Sequence, residues 1–173
     1  MALNSLGEMA RYQRDWVQAQ NSYEQTLQIA GELGSEFWKA LALHNLGYVA
    51  LHGGESVQAK ELFTESLRLY ARQQHRKGVA ECLAGLGKVE ASGGGMLRAA
   101  RLCGASEAIL QDLRMRLDAL DRADYLRTLE VLRCELGDKL ETLLDGGRAM
   151  SMDEAVEYAL PDRGQVRGTS RLP

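Results

Sequence analysis

Hydrophobic and polar positions alternate on two scales along this chain. On the short scale, Leu43, Leu46, Gly47 and Ala50 recur at i, i+3, i+4 and i+7, which lays them along one helical stripe. After Gly53-Gly54 the same spacing returns in Ala59, Leu62, Phe63, Ser66 and Tyr70, over a segment long enough for four to five turns. Two amphipathic helices joined by a glycine break predict an antiparallel hairpin. Gly47 and Ala59 are small residues on the apolar stripes, so the two backbones can approach closely, with the Phe63 ring filling the space beyond.

On the long scale the unit is written three times. Leu6-Gly7, Leu46-Gly47 and Leu86-Gly87 stand forty residues apart; Ala19, Ala59 and Ala99 follow twelve residues after each glycine, and Tyr23, Phe63 and Cys103 four further on. This predicts three hairpins, over about 1–34, 35–74 and 75–113. Boundary chemistry agrees: Asp15 can cap a helix whose third residue is Gln18, Gly34 ends a period, and Gly93, Gly94 and Gly95 split the third pair. The third unit departs from the pattern, because Cys103 replaces the aromatic and Glu90 stands where the second unit has Ala50, which counts against tight packing there. Cys103 itself reads as a small buried hydrophobe.

Beyond the repeats, Tyr125, Leu129, Leu132 and Leu136 predict a further helix that ends at Gly137 and covers the last hairpin. The cap continues through DKLETLLDGG. Ser151 and Glu154 then form a capping-box signature for a short helix containing Ala155, Val156 and Leu160, which Pro161 stops. A repeat stack leaves an apolar face at each end, so residues 114–160 are expected to act as its C-terminal cap. Residues 161–173, with little apolar content and three arginines, read as a mobile tail. At the other end Leu3, Leu6 and Ala10 lack a preceding helix to cover them, so self-association or a longer parent chain is expected.

Leucine, Leu-Gly, alanine and an aromatic at these places in each unit resemble the tetratricopeptide repeat, in a longer-helix variety given the forty-residue spacing. The segments NLGYVALHGGESVQAKELFTESL, AARLCGASEAIL, DYLRTLEVLRCELGD and GRAMSMDEAVEYAL are similar to the C-terminal part of large bacterial regulators of the signal-transduction ATPase type, including LuxR-like and antibiotic-regulatory activators. The resemblance implies an all-α, right-handed superhelical stack of hairpins that serves as a sensor or interaction arm. It implies no catalytic residue, because the Walker loop, Rossmann fingerprint and recognition helix that would carry ATP or DNA chemistry are missing. The string GLGK at Gly85 to Lys88 lacks the spaced first glycine and the following Ser or Thr of a phosphate loop.

The resemblance also implies that the first helix of each hairpin lines a concave face. The inward positions then fall on Asn4, Glu8, Arg11 and Tyr12 in the first unit, on Leu41, His44, Tyr48, Leu51 and His52 in the second, and on Glu81, Ala84 and Lys88 in the third. His44, Tyr48, Leu51 and His52 form a mixed aromatic and polar stripe opposite the leucines, of the composition found at binding hot spots. The expected partner is a protein or peptide segment in this groove, or a small-molecule effector.

Composition narrows the alternatives. With 21 basic and 24 acidic residues and a net charge of −3, the chain has no field suited to a phosphate backbone, which argues against direct nucleic-acid binding. At 173 residues, 45% hydrophobic and 26% charged, it is long and apolar enough for one folded array. Cys82, Cys103 and Cys134 are odd in number and widely spaced, which reads as reduced thiols in a cytoplasmic protein without export signal or membrane span. His44 and His52 lie eight residues apart, about 12 Å along a helix, too far to share one metal ion. No metal, cofactor or enzyme activity is expected.

Overall fold

The computed structural model describes residues 2–160, and every regular element among them is a helix: α1 (Ala2–Gln13), α2 (Trp16–Glu32), α3 (Glu36–His52), α4 (Ser56–Arg72), α5 (Arg76–Ser92), α6 (Met96–Asp112), α7 (Ala119–Leu136), α8 (Lys139–Arg148) and α9 (Met152–Ala159). Helices α2 to α6 have 17 residues each. Between them the chain reverses through a positive φ at Arg14, Gly34, Gly54, Gln74, Gly94 and Arg114, one every twenty residues. Glycine enters that region without a Cβ penalty. Two twenty-residue steps make the forty-residue unit, so the long period comes from longer helices and not from longer loops. Local caps fix the starts: Asp15, Ser35 and the His75 ring accept from the backbone N–H groups of Gln18, Trp38 and Gly78.

The recurring glycine has a direct steric cause. A Cβ on Gly7 would stand 2.5 Å from the Tyr23 ring, and one on Gly47 would stand 2.8 Å from Phe63. Phe63 is held from its other side by Gly85 of the next unit, where a Cβ would come within 2.6 Å. The ring is therefore clamped between two bare stretches of backbone, and GLGK is a packing element in the interior of α5. The third hairpin corrects the expectation of looser packing: Ala99 and Cys103 are fully buried. The hydrogen bond from Ser106 Oγ to Ala80 O, 2.7 Å, repeats the one from Ser66 Oγ to Ala40 O forty residues earlier. Glu90, on a half-buried flank, pairs with Lys60 at 2.8 Å and Arg98 at 3.3 Å instead of intruding on the core.

After α6 the stacking rule changes. The cover for the last hairpin comes mainly from α8, which crosses α6 where Gly104 lies against the Leu144 backbone and Gly147 against that of Arg101. Helix α9 opens with the full Ser151–Glu154 capping box and touches α4, α5 and α6, while Arg98 donates to the carbonyls of Tyr158 (2.6 Å) and Ala159 (3.1 Å) at its end. Pro161 and the 161–173 segment lie outside the described residues. Helix α7 ends at Gly137 and lies along α5 and α6, the two helices of the last hairpin, with its polar face also reaching α1 and α3. No helix of the described residues is long and apolar enough to cross a membrane.

Candidate functional site

The inward positions of the three units are register equivalents: Asn4, His44 and Ala84 stand forty residues apart, as do Glu8, Tyr48 and Lys88. Stacking α1, α3 and α5 side by side brings them onto one face. Four of the residues there are basic, Arg11, His44, His52 and Lys88, and two carboxylates of α7 answer them.

Asp121 is the centre of the first cluster. Its Oδ1 accepts from Arg11 Nη2 at 2.8 Å and its Oδ2 from His44 Nε2 at 2.9 Å. Arg11 Nη1 donates to Asn45 Oδ1 (3.1 Å), Asn45 Nδ2 to Asn4 Oδ1 (3.0 Å), and Asn4 Nδ2 to Glu8 Oε1 (2.8 Å), so the network crosses from α7 to α1 and α3 without a break. Arg11, His44, Asn45 and Asp121 are all buried. A buried carboxylate survives only with such pairing. One turn along α7, Asp124 accepts from Lys88 Nζ at 2.7 Å and pairs with His52 Nε2 at 3.2 Å, while the His52 ring stacks on Trp16 with centroids 4.2 Å apart. Tyr48 lies between the clusters: the Arg11 guanidinium is 4.8 Å from its ring centre and the Lys88 ammonium 5.9 Å.

Charge states follow from this geometry. Burial alone would lower the His44 pKa, but the hydrogen bonds and charges of Asp121 and Cys82 outweigh it and push it up to about 10, so the ring is an imidazolium at neutral pH. Burial works against ionised Asp121 as well, yet His44 and Arg11 hold it below the usual carboxylate range. Asp124 is brought down to about 2, because His52 and Lys88 outweigh its desolvation.

A second chain of contacts runs inward, with His44 Nδ1 3.8 Å from Cys82 Sγ and Cys82 Sγ donating to Ser66 Oγ at 3.2 Å. Cys82, His44 and Asp121 thus stand in the order of nucleophile, base and orienting acid, a set that spacing alone does not assemble. Cys82 and Ser66 are fully buried, however, and neither lines the cavity beside His44, so the sulfur is closed off from the groove. Among the described residues, no group of three or more His, Cys, Asp or Glu side chains is placed to hold a metal ion.

Beside the N-terminus of α7 the groove stays open as a cavity of about 290 Å³. Its walls include Glu8, Arg11, Tyr12, Leu41, His44 and Glu81, six of the residues singled out from the sequence, together with Asn45 and residues 118–121. Tyr12 is 61% exposed at the rim, whereas Asn4 is buried one layer beneath. His44 and Tyr48 correct the expectation of an open stripe: they are 2% and 1% exposed, because α3 is enclosed by its neighbours on nearly every side. Leu51 is half-buried against the core, Lys88 is half-buried under Asp124, and His52 is an exposed residue whose side chain keeps 26% of its surface open beside Asp124. Asp121 and Asp124 were missed by sequence reasoning. The signal lay in the stripe Asp121, Tyr125, Thr128 and Leu132, at i, i+4, i+7 and i+11, where an acid sits among the buried positions.

Residues 1–72, which are α1 to α4, match the tetratricopeptide repeat family. No curated protein matches the chain. No solved structure matches it.

Proposed function

We propose that this chain is a non-catalytic binding scaffold whose working surface is the face formed by α1, α3 and α5. The observation that supports it most is convergence: residues from three successive units meet around a helix that is not part of the repeats, so the face has the chemistry to hold a helical segment as a ligand. The tetratricopeptide match over the first two hairpins supports the same class, since such stacks present extended concave surfaces. Asn4, Glu8, Arg11, Tyr12, Leu41, His44, Tyr48, Leu51, His52, Glu81 and Lys88 divide into two roles. Tyr12, Leu41, Glu8 and Glu81 meet the incoming partner at the cavity, while the rest build and charge its floor. On the sequence resemblance to bacterial regulators, we read this scaffold as the sensor or interaction arm of such a protein.

A photo-crosslinking residue placed at Tyr12 tests the surface in the native host. It should yield a protein adduct of defined mass, while the same residue at Val57, which is 76% exposed on α4, should not. Equal adducts from both positions, or none from Tyr12, reject the groove.

A second reading, self-association, is favoured by the outer face of α1. Leu6 is 41% and Met9 60% exposed, whereas their register equivalents Leu46 and Val49, covered by α2, are 7% and 8% exposed. Ala10, expected to be uncovered, is instead buried against the core of the first hairpin. Light scattering over a wide concentration range decides this reading: a strict monomer at the highest concentration rejects it.

A further inference from the structure

Helix α7 is bound in a manner unlike that of any neighbour. Its buried residues are Asp121, Asp124, Tyr125, Thr128 and Leu132, so two of the five are carboxylates, and both face basic residues of the repeats. The groove's own acids are already answered elsewhere: Glu8 accepts from Asn4, and Glu81 pairs with Lys77 at 2.9 Å. The four basic groups at the floor therefore select for negative charge, and their spacing fits two carboxylates one helical turn apart.

The attachments of α7 let it move as a unit. Residues 113–118 before it are not helical, and Gly137 behind it has a φ of +52°. Helix α8 packs on α6 through Gly104 and Gly147, independently of the groove. Withdrawal of α7 breaks the Tyr125 hydrogen bond to Glu107, which also accepts from Arg148 of α8, but leaves the Gly104 and Gly147 crossing of α6 and α8 intact. It would uncover the charged sides of Arg11, His44, His52 and Lys88, next to the cavity that Tyr12 and Leu41 line.

We propose that α7 is a resident stand-in for the partner: the groove recognises an amphipathic helix with two carboxylates three residues apart, and such a helix binds by displacing α7. This rests on the scaffold reading and names the chemistry of what the scaffold binds. Tethering gives α7 a high effective concentration, so a free helix competes at reduced apparent affinity until α7 is weakened.

The test uses the full chain and a fluorescent synthetic peptide of residues 117–137, with Cys134→Ser to prevent oxidation. Asp121→Asn combined with Asp124→Asn in the chain should tighten peptide binding by at least about tenfold over the unaltered chain, the gain expected from removing a tethered competitor. The same peptide with both aspartates changed to asparagine should not bind. If the double variant fails to fold, the unaltered chain still decides by hydrogen exchange. Amides of α7 should exchange before those of α5, and excess peptide should accelerate α7 alone. Equal protection of α7 and α5, unmoved by peptide, overturns the proposal. So does a double variant that folds but ignores the peptide, or one that dimerises without it, since the occupant would then be a second copy. Should the peptide fail while Tyr12 still cross-links, the displacement is lost and the scaffold stands; failure of both removes the scaffold.

Discussion

Helices α7 and α8 follow each other in the chain and both pack on α6, yet they are held by different physics. The contact of α8 with α6 is a backbone-to-backbone crossing, made possible by Gly104 and Gly147, lined by Leu140 and Leu144 and flanked by one half-exposed ion pair, Arg148 with Glu107. That of α7 with the groove is built on two carboxylates and four basic groups, around one fully buried leucine, Leu132. Close packing is insensitive to salt and pH and has little tolerance for added volume. An ion-pair network tolerates changes of volume but not the loss of one partner. The chain thus ends its stack with a fixed cover and carries beside it a helix whose seat depends on charge.

The largest expected effect breaks the α7 side of this comparison. Asp121→Ala leaves Arg11 and His44 buried without their shared acceptor, at a cost of about 3–5 kcal/mol, the range for breaking a buried pair. Withdrawal of α7 relieves part of that penalty, so the loss should appear first as deprotection of α7 amides and only then as a lower melting temperature. A chain whose hairpins and α7 lose protection together would show that α7 is an integral part of the core.

The α8 side should respond to volume instead. A Cβ at Gly147 meets the Arg101 carbonyl, which is backbone and cannot rotate away. Gly147→Ala is expected to cost about 1–3 kcal/mol by overpacking, with the same value at low and high salt. Denaturant titrations at two ionic strengths check this; a salt-dependent cost would mean that the contact is not purely steric.

The repeats were legible because their cause is local and recurs: a ring needs a glycine opposite it, so Gly7 with Tyr23 and Gly47 with Phe63 write the unit into the sequence. The inward residues could be placed on one face for the same reason of register. Their burial could not, because it depends on packing by other helices: α2, α4 and α5 enclose α3, and the Asp121 that meets His44 comes from α7, about eighty residues downstream. Reading α7 by Tyr125, Leu129, Leu132 and Leu136 selected two buried residues, Tyr125 and Leu132, and two half-buried ones, and passed over Asp121, which is buried. An aspartate is ordinarily a solvated residue, and only the basic floor contributed by other helices makes this one an interior residue.

Titration sharpens the comparison with a smaller effect. The pKa of His44 is raised, so its contribution is fully present below about 6.5, the unperturbed value, and is lost as pH rises through about 10. Asp121 and Asp124 are lowered, so theirs is present above the unperturbed carboxylate value and fades as pH falls, through about 2 for Asp124. The alkaline loss should be the milder of the two, because Arg11 still holds Asp121 when His44 is neutral. Protection of α7 measured across pH should therefore pass through a broad maximum near neutrality, while the α6–α8 contact, whose one ion pair between Arg148 and Glu107 is half-exposed, varies much less. A pH-independent α7 would mean that its seat is not electrostatic.

The smallest effect concerns α9, which is fixed locally by its own capping box and by Arg98, and whose bonded partners do not include Asp121. Ser151→Ala removes the acceptor for the Glu154 N–H and half of the reciprocal pair, at a cost of about 1 kcal/mol. Because the two sites share no partner, combining it with Asp121→Ala should give the sum of the single losses to within about 0.5 kcal/mol. Arg11→Leu combined with Asp121→Ala should instead cost much less than its parts, since each removes the other's stranded charge. Chemical denaturation of the two double variants beside their singles checks both statements. Additivity in the Arg11–Asp121 pair would show that the groove contacts are not coupled, and coupling between Ser151 and Asp121 would show that α7 and α9 move together.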